Sequence, residues 1–131
     1  RGKSDETLLA KIFDYVRNHY NADCSLQLLS TTLNYHYSYL SRLFSEQTGM
    51  SFTEYVNRFR IHESCYFLTN TDKSITQIAF DCGYNSLRSF YRNFMEQIGE
   101  TPGEFRQRHY AFEVIIGGKG LRPRGSAPNP A

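Results

Sequence analysis

The sequence predicts an all-α protein of seven helices. Apolar residues recur at spacings of three and four along residues 5–109, a period typical of amphipathic helices rather than strands. Ser or Thr stands at the start of several of these apolar segments, and Gly or Asn stands at the end. With 40% hydrophobic residues, including 10 Tyr and 10 Phe, the chain can bury an aromatic-rich core. We therefore expect one folded helical domain over residues 5–109.

The first three predicted helices have clear ends. The first begins at Asp5, whose carboxylate suits the positive end of a helix dipole, and ends near Asn21. The second is short, because it opens at the N-cap Ser25 and stops at Asn34, a residue that enters the left-handed region more cheaply than most. The third ends at Gly49, the residue type common just beyond a helix.

The next three helices are bounded by the same kinds of residue. The fourth is the longest and covers about residues 51–69. The fifth starts at Ser74 and is broken by Gly83, and the sixth is capped by Asn85 or Ser86. The residues NTDK between the fourth and fifth helices are predicted to form a loop.

The seventh predicted helix is short, over about residues 102–109, with Pro at its first position. Three helix starts carry a capping box, formed by Ser51 with Glu54, Ser74 with Gln77, and Thr101 with Glu104. Residues 110–131 are expected to form a flexible tail, in which AFEVII is either a last helical turn or a short strand. The tetrapeptide PRGS in this tail resembles a cloning junction.

Two segments fifty residues apart are nearly the same. HYSYLSRLFSEQTG and SLRSFYRNFMEQIG align with Arg42 over Arg92, Phe44 over Phe94 and Gly49 over Gly99. Each is preceded by a short helix and a tight turn, which is the order of a helix-turn-helix, over about residues 25–49 and 74–99. A helical solenoid is the weaker alternative, because solenoids generally need at least three copies.

The second helix of each pair has an outward face suited to DNA. That face holds Ser38, Ser41, Arg42 and Ser45 in the first pair, and Arg88, Ser89, Arg92 and Asn93 in the second. An ordinary solvated helix would mix Glu and Lys, yet Lys is absent from both helices. Arg can pair with guanine through two hydrogen bonds, and the second helix of such a motif enters the major groove. The pattern therefore favours binding to double-stranded DNA.

The long fourth helix is predicted to link the two helix-turn-helix subdomains. Nineteen residues span about 28 Å, close to the distance of about 34 Å between successive major grooves on one side of B-DNA. Arg58 and Arg60 in this helix could bind phosphate or pair internally with residues such as Asp81 or Glu54. For Arg60, which Phe59 and Ile61 flank, a structural role is favoured.

Other functional classes find little support. The net charge of +2 neither supports nor excludes binding to nucleic acid. If DNA binds, the positive side chains must lie together on one face of the protein. Three separated cysteines indicate a reducing compartment, hence the cytoplasm, and no apolar run is long enough to span a bilayer. His62 and Cys65 could supply two ligands to a metal, but no second closely spaced ligand pair is present. Cys82 with a His is the only candidate for a catalytic Cys/His pair, and burial of the Cys82 thiol explains this residue better. We predict no enzyme, metal or cofactor; a helical protein-interaction module is the alternative.

With these residues, the chain resembles the DNA-binding domain of the AraC/XylS family of bacterial transcription regulators over about residues 7–109. The resemblance is carried by YLSRLF, Gly49, Tyr55 and Arg60 in the first half, and in the second half by Ile75, Ile78, Ala79, Gly83, Tyr84, Phe90, Arg92, Phe94, Gly99, Pro102 and Arg106. Ser30 and Ser64 stand where Ala is common, and Met95 and Glu96 replace a commonly basic pair.

The resemblance implies two helix-turn-helix subdomains on a linker helix. It implies base contacts from Ser38, Ser41 and Arg42 in one, and from Leu87, Arg88, Ser89 and Arg92 in the other. It also implies a separate sensing or dimerisation domain, often upstream, which agrees with a chain that starts without Met. Transcription activation through contact with RNA polymerase is a further expectation of the family.

Overall fold

A computed structural model describes the backbone of residues 2–117 and the side chains of residues 4–110. Within this range the protein is all-α, without strands. Its seven helices are α1 (Gly2–His19), α2 (Leu26–Leu33), α3 (Tyr37–Thr48), α4 (Phe52–Asn70), α5 (Ile75–Asp81), α6 (Leu87–Ile98) and α7 (Pro102–Gly117). The predicted order and number of helices are confirmed for the part of the chain that is described.

The chain divides into two compact units in the middle of α4. The first unit ends at Arg60 and the second begins at Ile61. The first unit therefore contains α1, α2, α3 and the beginning of α4, and the second contains the rest of α4 with α5, α6 and α7. Each unit thus consists of a helix, a helix-turn-helix and a closing helix, with α4 serving both.

The core of the first unit is built around Phe44 of α3. Its ring is fully buried and lies 5.9 Å from the ring of Phe13, 5.7 Å from that of Phe52 and 5.3 Å from that of Tyr55, between ring centroids. These edge-on contacts join α1, α3 and α4. The aliphatic residues buried with them are Leu8, Ile12, Leu26, Leu29, Leu40 and Leu43.

The core of the second unit repeats this plan around Phe94 of α6. The ring of Phe94 is fully buried, with centroids 5.7 Å from Phe90 of the same helix and 5.6 Å from Phe105 of α7. Tyr84, which follows the turn after α5, packs on Phe90 at 5.5 Å. An aromatic residue at the same repeat position thus fixes the second helix of each helix-turn-helix against its neighbours.

Small residues occupy the crossing points of the first helix of each motif. Ser30 in α2 and Ala79 in α5 are both buried, as expected where the second helix packs closely. The Ser30 hydroxyl donates to the Gln27 carbonyl oxygen at 2.7 Å, so a serine is accommodated where an alanine would also fit. Ser64, fully buried in α4, is satisfied in the same way by the Ile61 carbonyl at 2.6 Å.

The helix starts follow the predicted caps only in part. At α7 the capping box is complete, because the Glu104 amide donates to the Thr101 hydroxyl at 3.1 Å and the Thr101 amide donates to the Glu104 carboxylate at 3.0 Å. At α4 and α5 only the serine half forms. The predicted return bond, from the backbone amide of the serine to the Glu54 or Gln77 side chain, is wrong at both helices. The Glu54 carboxylate instead pairs with Arg58, and the Gln77 side-chain amide donates to Asp81.

Two arginines join distant parts of the chain within their own units. Arg60 donates through Nε to the Tyr20 carbonyl oxygen at 2.7 Å and through Nη2 to the Ala22 carbonyl oxygen at 3.1 Å. Its predicted structural role is confirmed, but its hydrogen-bond acceptors are carbonyl groups beyond the end of α1 rather than carboxylates. Arg58 instead pairs with the Glu54 carboxylate, and Asp81 pairs with a lysine, Lys73.

Arg106 makes the corresponding bonds in the second unit. It donates through Nε to the Leu68 carbonyl oxygen at 3.0 Å and through Nη2 to the Thr71 carbonyl oxygen at 3.1 Å, at the C-terminal end of α4. Burial lowers the pKa of this guanidinium, and the Asp72 carboxylate opposes the shift. Each unit therefore fixes the end of its first helix with an arginine from its last helix.

The last helix is longer than expected. α7 continues to Gly117, whereas the sequence predicted its end near His109 and a flexible tail from residue 110. Residues 110–117 are therefore helical, and of the two alternatives for AFEVII the helical one is correct. The sequence contains no Pro between residues 103 and 122 that would interrupt the helix. The rest of the predicted tail, including PRGS, lies outside the described residues.

No helix in the described part of the chain is both long and apolar enough to cross a membrane. The same residues contain no group of three or more His, Cys, Asp and Glu side chains arranged to hold a metal ion. Cys24, Cys65 and Cys82 are not joined in disulfides, and Cys82 is fully buried.

We expect the Cys65 thiol to react slowly in the native protein. Burial raises its pKa from 9.0 to about 11, which the hydrogen bond with Ser64 only partly opposes. At pH 8 this lowers the thiolate fraction about 100-fold, and the thiolate is the reactive species. Because a thiolate of higher pKa is also more nucleophilic, alkylation by iodoacetamide should be about 10- to 100-fold slower at Cys65 in the native protein than in guanidinium, as followed at each cysteine by mass spectrometry. Equal native and unfolded rates would show that this thiol is not buried.

Candidate nucleic-acid interface

The turns that orient α3 and α6 have the same geometry. Asn34 and Gly83 take the left-handed conformation, with φ of 61° and 98°, directly before the turn. The next residue, Tyr35 or Tyr84, donates its amide to a carbonyl oxygen five residues earlier at 3.0 Å in both motifs. This is the Schellman pattern that ends a helix and turns the chain sharply. Both predicted breaks are confirmed, and two residues separate Asn34 from the start of α3, whereas three separate Gly83 from the start of α6.

The buried side of α3 determines which residues face outward. Leu40, Leu43 and Phe44 are buried, so the opposite side of the helix carries the exposed residues. Ser38, Arg42 and Ser45 are exposed there, and Ser41 beside them is half-buried. All four residues predicted for this face are therefore accessible.

The α3 face is polar and carries one cation. The Ser45 hydroxyl donates to the Ser41 carbonyl oxygen at 3.1 Å within the helix, which leaves its oxygen lone pairs available as acceptors. Arg42 makes no hydrogen bond or ion pair with the residues that the structure describes. Glu46, one turn further along, is exposed but does not neutralise it.

The predicted residues of α6 divide into two groups. Arg88 and Arg92 are exposed, opposite the buried Phe90 and Phe94. Leu87, Ser89 and Asn93 are half-buried at the borders of the face.

Two of the border residues of α6 are engaged within the helix. The Ser89 amide donates to the N-cap hydroxyl of Ser86 at 3.2 Å, and the Asn93 side-chain amide donates to the Ser89 carbonyl oxygen at 2.9 Å. Arg92 approaches the Ser89 hydroxyl at 3.5 Å, which is at the limit of a hydrogen bond. Ser89 and Asn93 thus support the helix as well as bordering its outward face.

The other described arginines already have internal partners. Arg17, Arg58 and Arg108 pair with carboxylates, and Arg60 and Arg106 donate to backbone carbonyl groups. Arg42, Arg88 and Arg92 are the arginines left without a carboxylate or carbonyl partner among residues 4–110. All three lie on the outward faces of the second helices of the two motifs. Within each unit, positive charge without an internal counter-charge is therefore concentrated on this one helix face, despite the low net charge of the chain.

Two exposed residues of α6 were missed by the sequence analysis. The fifty-residue offset that places Arg42 over Arg92 also places Ser41 over Tyr91 and Ser45 over Met95. Tyr91 is 38% exposed and Met95 is 45% exposed, on the same side of α6 as the two free arginines. The repeat was the available signal, but the outward face was chosen from polar residues, and Leu87 was added only through the family resemblance, so the register was not carried across.

The sequence profile of the helix-turn-helix domain family matches residues 29–108, which is more than half of the chain. This chain belongs to the AraC/XylS family. The domain is therefore of the helix-turn-helix, DNA-binding type found in transcription regulators, and this is not a family of enzymes. The matched residues cover α3, α4, α5 and α6 completely.

Three comparisons place this AraC-type domain among known proteins. An uncharacterized HTH-type transcriptional regulator of Staphylococcus aureus (strain MSSA476) is 36% identical over 96 residues, which is 73% of this chain. The C-terminal domain of AraT, a response regulator from Geobacillus stearothermophilus, superposes with a TM-score of 0.74 at 26% identity, covering 76% of this chain and 84% of that one. The AdpA DNA-binding domain, solved with a target DNA, shares the fold, with a TM-score of 0.74 at 20% identity over 84% and 96% of the chains.

The AraC-type domain is small relative to its curated relatives. The chain spans 13% of the length of the Staphylococcus aureus regulator that it matches. Most of that relative therefore has no counterpart in this sequence.

Proposed function

We propose that the domain binds DNA sequence-specifically, with α3 and α6 each lying in a major groove. The observation that carries this proposal is the position of the three arginines that have no carboxylate or carbonyl partner among residues 4–110. Arg42, Arg88 and Arg92 all lie on the outward faces of these two helices, whereas the other described arginines are engaged elsewhere. An unpaired, exposed guanidinium can form two parallel hydrogen bonds with the edge of a guanine.

The proposed contacts are those expected from the sequence. In α3 they come from Ser38, Ser41, Arg42 and Ser45, and in α6 from Leu87, Arg88, Ser89, Arg92 and Asn93. The arginines would read bases, and the serine hydroxyls would bind phosphate or base edges. Asn93 and Ser89, which are engaged within α6, would contribute chiefly by holding the helix surface in shape.

We also propose that the two helices read successive major grooves of one duplex. The length of α4 supports this, since its 19 residues span about 28 Å and the grooves are about 34 Å apart. The 13% share of the curated relative supports a role as the output part of a larger regulator with a sensing or dimerisation domain. In that role the protein would work in the cytoplasm and activate transcription through RNA polymerase.

The proposal is tested by selecting a preferred duplex from a random library and measuring its affinity for single variants. Arg42→Ala, Arg88→Ala and Arg92→Ala should each weaken binding by about 5- to 150-fold, the range of about 1–3 kcal/mol for a bidentate base contact. Arg17→Ala removes the same charge from a side chain that is exposed and paired with Asp14, and it is the matched control. Loss of preference at one base position would identify a base contact, whereas a uniform loss with a shallower salt dependence would identify a phosphate contact.

Two results would contradict this assignment. One is full affinity in all three arginine variants, and the other is an equal loss in the Arg17→Ala control. The alternative of a helical protein-interaction module predicts no salt-dependent binding to any duplex, so titrating wild-type protein with DNA at two salt concentrations separates the two classes.

A further inference from the structure

Two exposed apolar side chains, Tyr91 and Met95, lie beside the arginines on the outward face of α6. Phe90 and Phe94 are fully buried, and they fix the rotation of the helix about its axis. With that rotation, Arg88, Tyr91, Arg92 and Met95 follow the spacing i, i+3, i+4, i+7 and form one stripe along the outward side. The corresponding stripe of α3 is Ser38, Ser41, Arg42 and Ser45. Arg42 and Arg92 therefore occupy the same register, whereas α6 carries Arg88, Tyr91 and Met95 at the three positions where α3 carries serine.

We propose that Tyr91 and Met95 read thymine methyl groups in the major groove. This inference rests on the proposed function of α6 as a recognition helix. The thymine C5-methyl is the apolar feature that the major groove offers, and apolar side chains contact it. An exposed tyrosine ring and an exposed methionine beside two free arginines match a half-site in which thymine stands next to guanine.

The geometry of the helix limits where these thymines lie. Residues four apart are separated by about 6 Å along a helix axis, which is comparable to two base-pair steps of about 3.4 Å. The Tyr91 ring makes an edge-on contact with the buried Phe90 ring, with centroids 6.0 Å apart and an interplanar angle of 86°. Met95 is unbranched and can adjust to the methyl position. The contacted thymines should therefore fall within about two steps of each other.

The α3 half-site is expected to differ. Serine occupies both corresponding positions, Ser41 and Ser45, and offers hydroxyl groups in place of apolar surface. The two half-sites would then be unequal, with methyl contacts confined to the half-site that α6 reads. An unequal pair of half-sites defines the direction in which the domain lies on its operator.

The test removes single methyl groups from the DNA. In the selected duplex, the half-site whose base preference changes in Arg88→Ala is assigned to α6. Each thymine in it is then replaced by deoxyuridine, which lacks only the C5-methyl. Wild-type protein should lose about 4-fold in affinity per contacted methyl, as burial of one such group implies. Met95→Ala and Tyr91→Ala should bind the thymine and uracil duplexes equally at the position each contacts.

The control is Tyr66→Ala in α4, which removes an aromatic side chain that is 52% exposed outside the proposed surface. It should retain the wild-type ratio of thymine to uracil affinities. The inference is overturned if wild-type protein does not distinguish the two duplexes at any position, or if the Tyr91 and Met95 variants keep the wild-type ratio. The second result is also expected if the pair serves a protein partner. If Arg42→Ala, Arg88→Ala and Arg92→Ala all bind DNA as tightly as wild type, the proposed function itself fails. The two failures can therefore be told apart.

Discussion

Replacing Phe94 with alanine is expected to lower the free energy of unfolding by about 3–5 kcal/mol. The ring is 0% exposed and contacts the rings of Phe90 and Phe105, so its removal leaves a cavity between α6 and α7 that rigid neighbours fill only in part. Urea denaturation followed by circular dichroism measures the change. An exposed apolar residue of α2 provides the control, since Leu28→Ala should stay within about 0.5 kcal/mol of wild type.

The matched substitution in the first unit is Phe44→Ala. Phe44 is equally buried and contacts three rings, so a loss of similar size is expected. Because the chain forms two compact units, hydrogen exchange should show the larger loss of protection in the unit that carries the substitution. A loss below about 1 kcal/mol for either phenylalanine would mean that its ring is not the centre of a packed core.

Replacing Arg106 with methionine is expected to lower the free energy of unfolding by about 2–4 kcal/mol. Methionine keeps most of the aliphatic stem but removes two hydrogen bonds from a charged group to the Leu68 and Thr71 carbonyls, each worth about 1.5–3 kcal/mol at most. Arg106→Lys should recover only part of the loss, because an ammonium group does not reproduce the fork of a guanidinium. Thermal and urea unfolding measure these differences.

Two further variants show whether the effect belongs to these bonds. Arg60→Met should lose a similar amount in the first unit, where the Tyr20 and Ala22 carbonyls are the acceptors. Arg108→Met removes an exposed arginine of the same helix that pairs with Glu100 and lies 5.5 Å from the centre of the Phe105 ring, and it should unfold only slightly earlier than wild type. If Arg106→Met unfolds no earlier than Arg108→Met, the carbonyl contacts do not contribute to stability.

Most of the fold was predictable because its signals are local. Asn34 and Gly83 break helices through their own backbone preferences, and Gly49 and Gly99 end them in the left-handed conformation. These outcomes depend on a few neighbouring residues, so a single sequence is sufficient to predict them. The repeat added the pairing of α2 with α3 and of α5 with α6.

What could not be predicted depends on contacts that are distant in sequence or on competition between partners. Arg60 reaches carbonyl groups nearly forty residues away, and no local pattern identifies a backbone acceptor. Glu54 and Gln77 fit the capping-box pattern, but each has a second partner one turn along its helix and binds that partner instead. The end of α7 was misjudged because its last residues lack a clear apolar period.

The candidate site shows the same division. The exposure of Arg42, Arg88 and Arg92 follows from helical periodicity and was predictable. It was not predictable that these side chains have no carboxylate or carbonyl partner, because that depends on which groups each carboxylate of the folded chain contacts. Tyr91 and Met95 were overlooked because apolar residues on a helix are ordinarily assigned to the core, and only the burial of Phe90 and Phe94 shows which apolar side faces inward.

The position of the boundary between the units has a practical consequence for the expression of truncated fragments. A fragment that stops at Arg60 would cut α4 in mid-helix and leave its last turn of carbonyl groups without amide donors. A fragment that starts at Ile61 would lack the capping serine Ser51 and would begin with unpaired amides. Autonomous halves of this chain would therefore have to overlap, with the whole of α4 encoded in both.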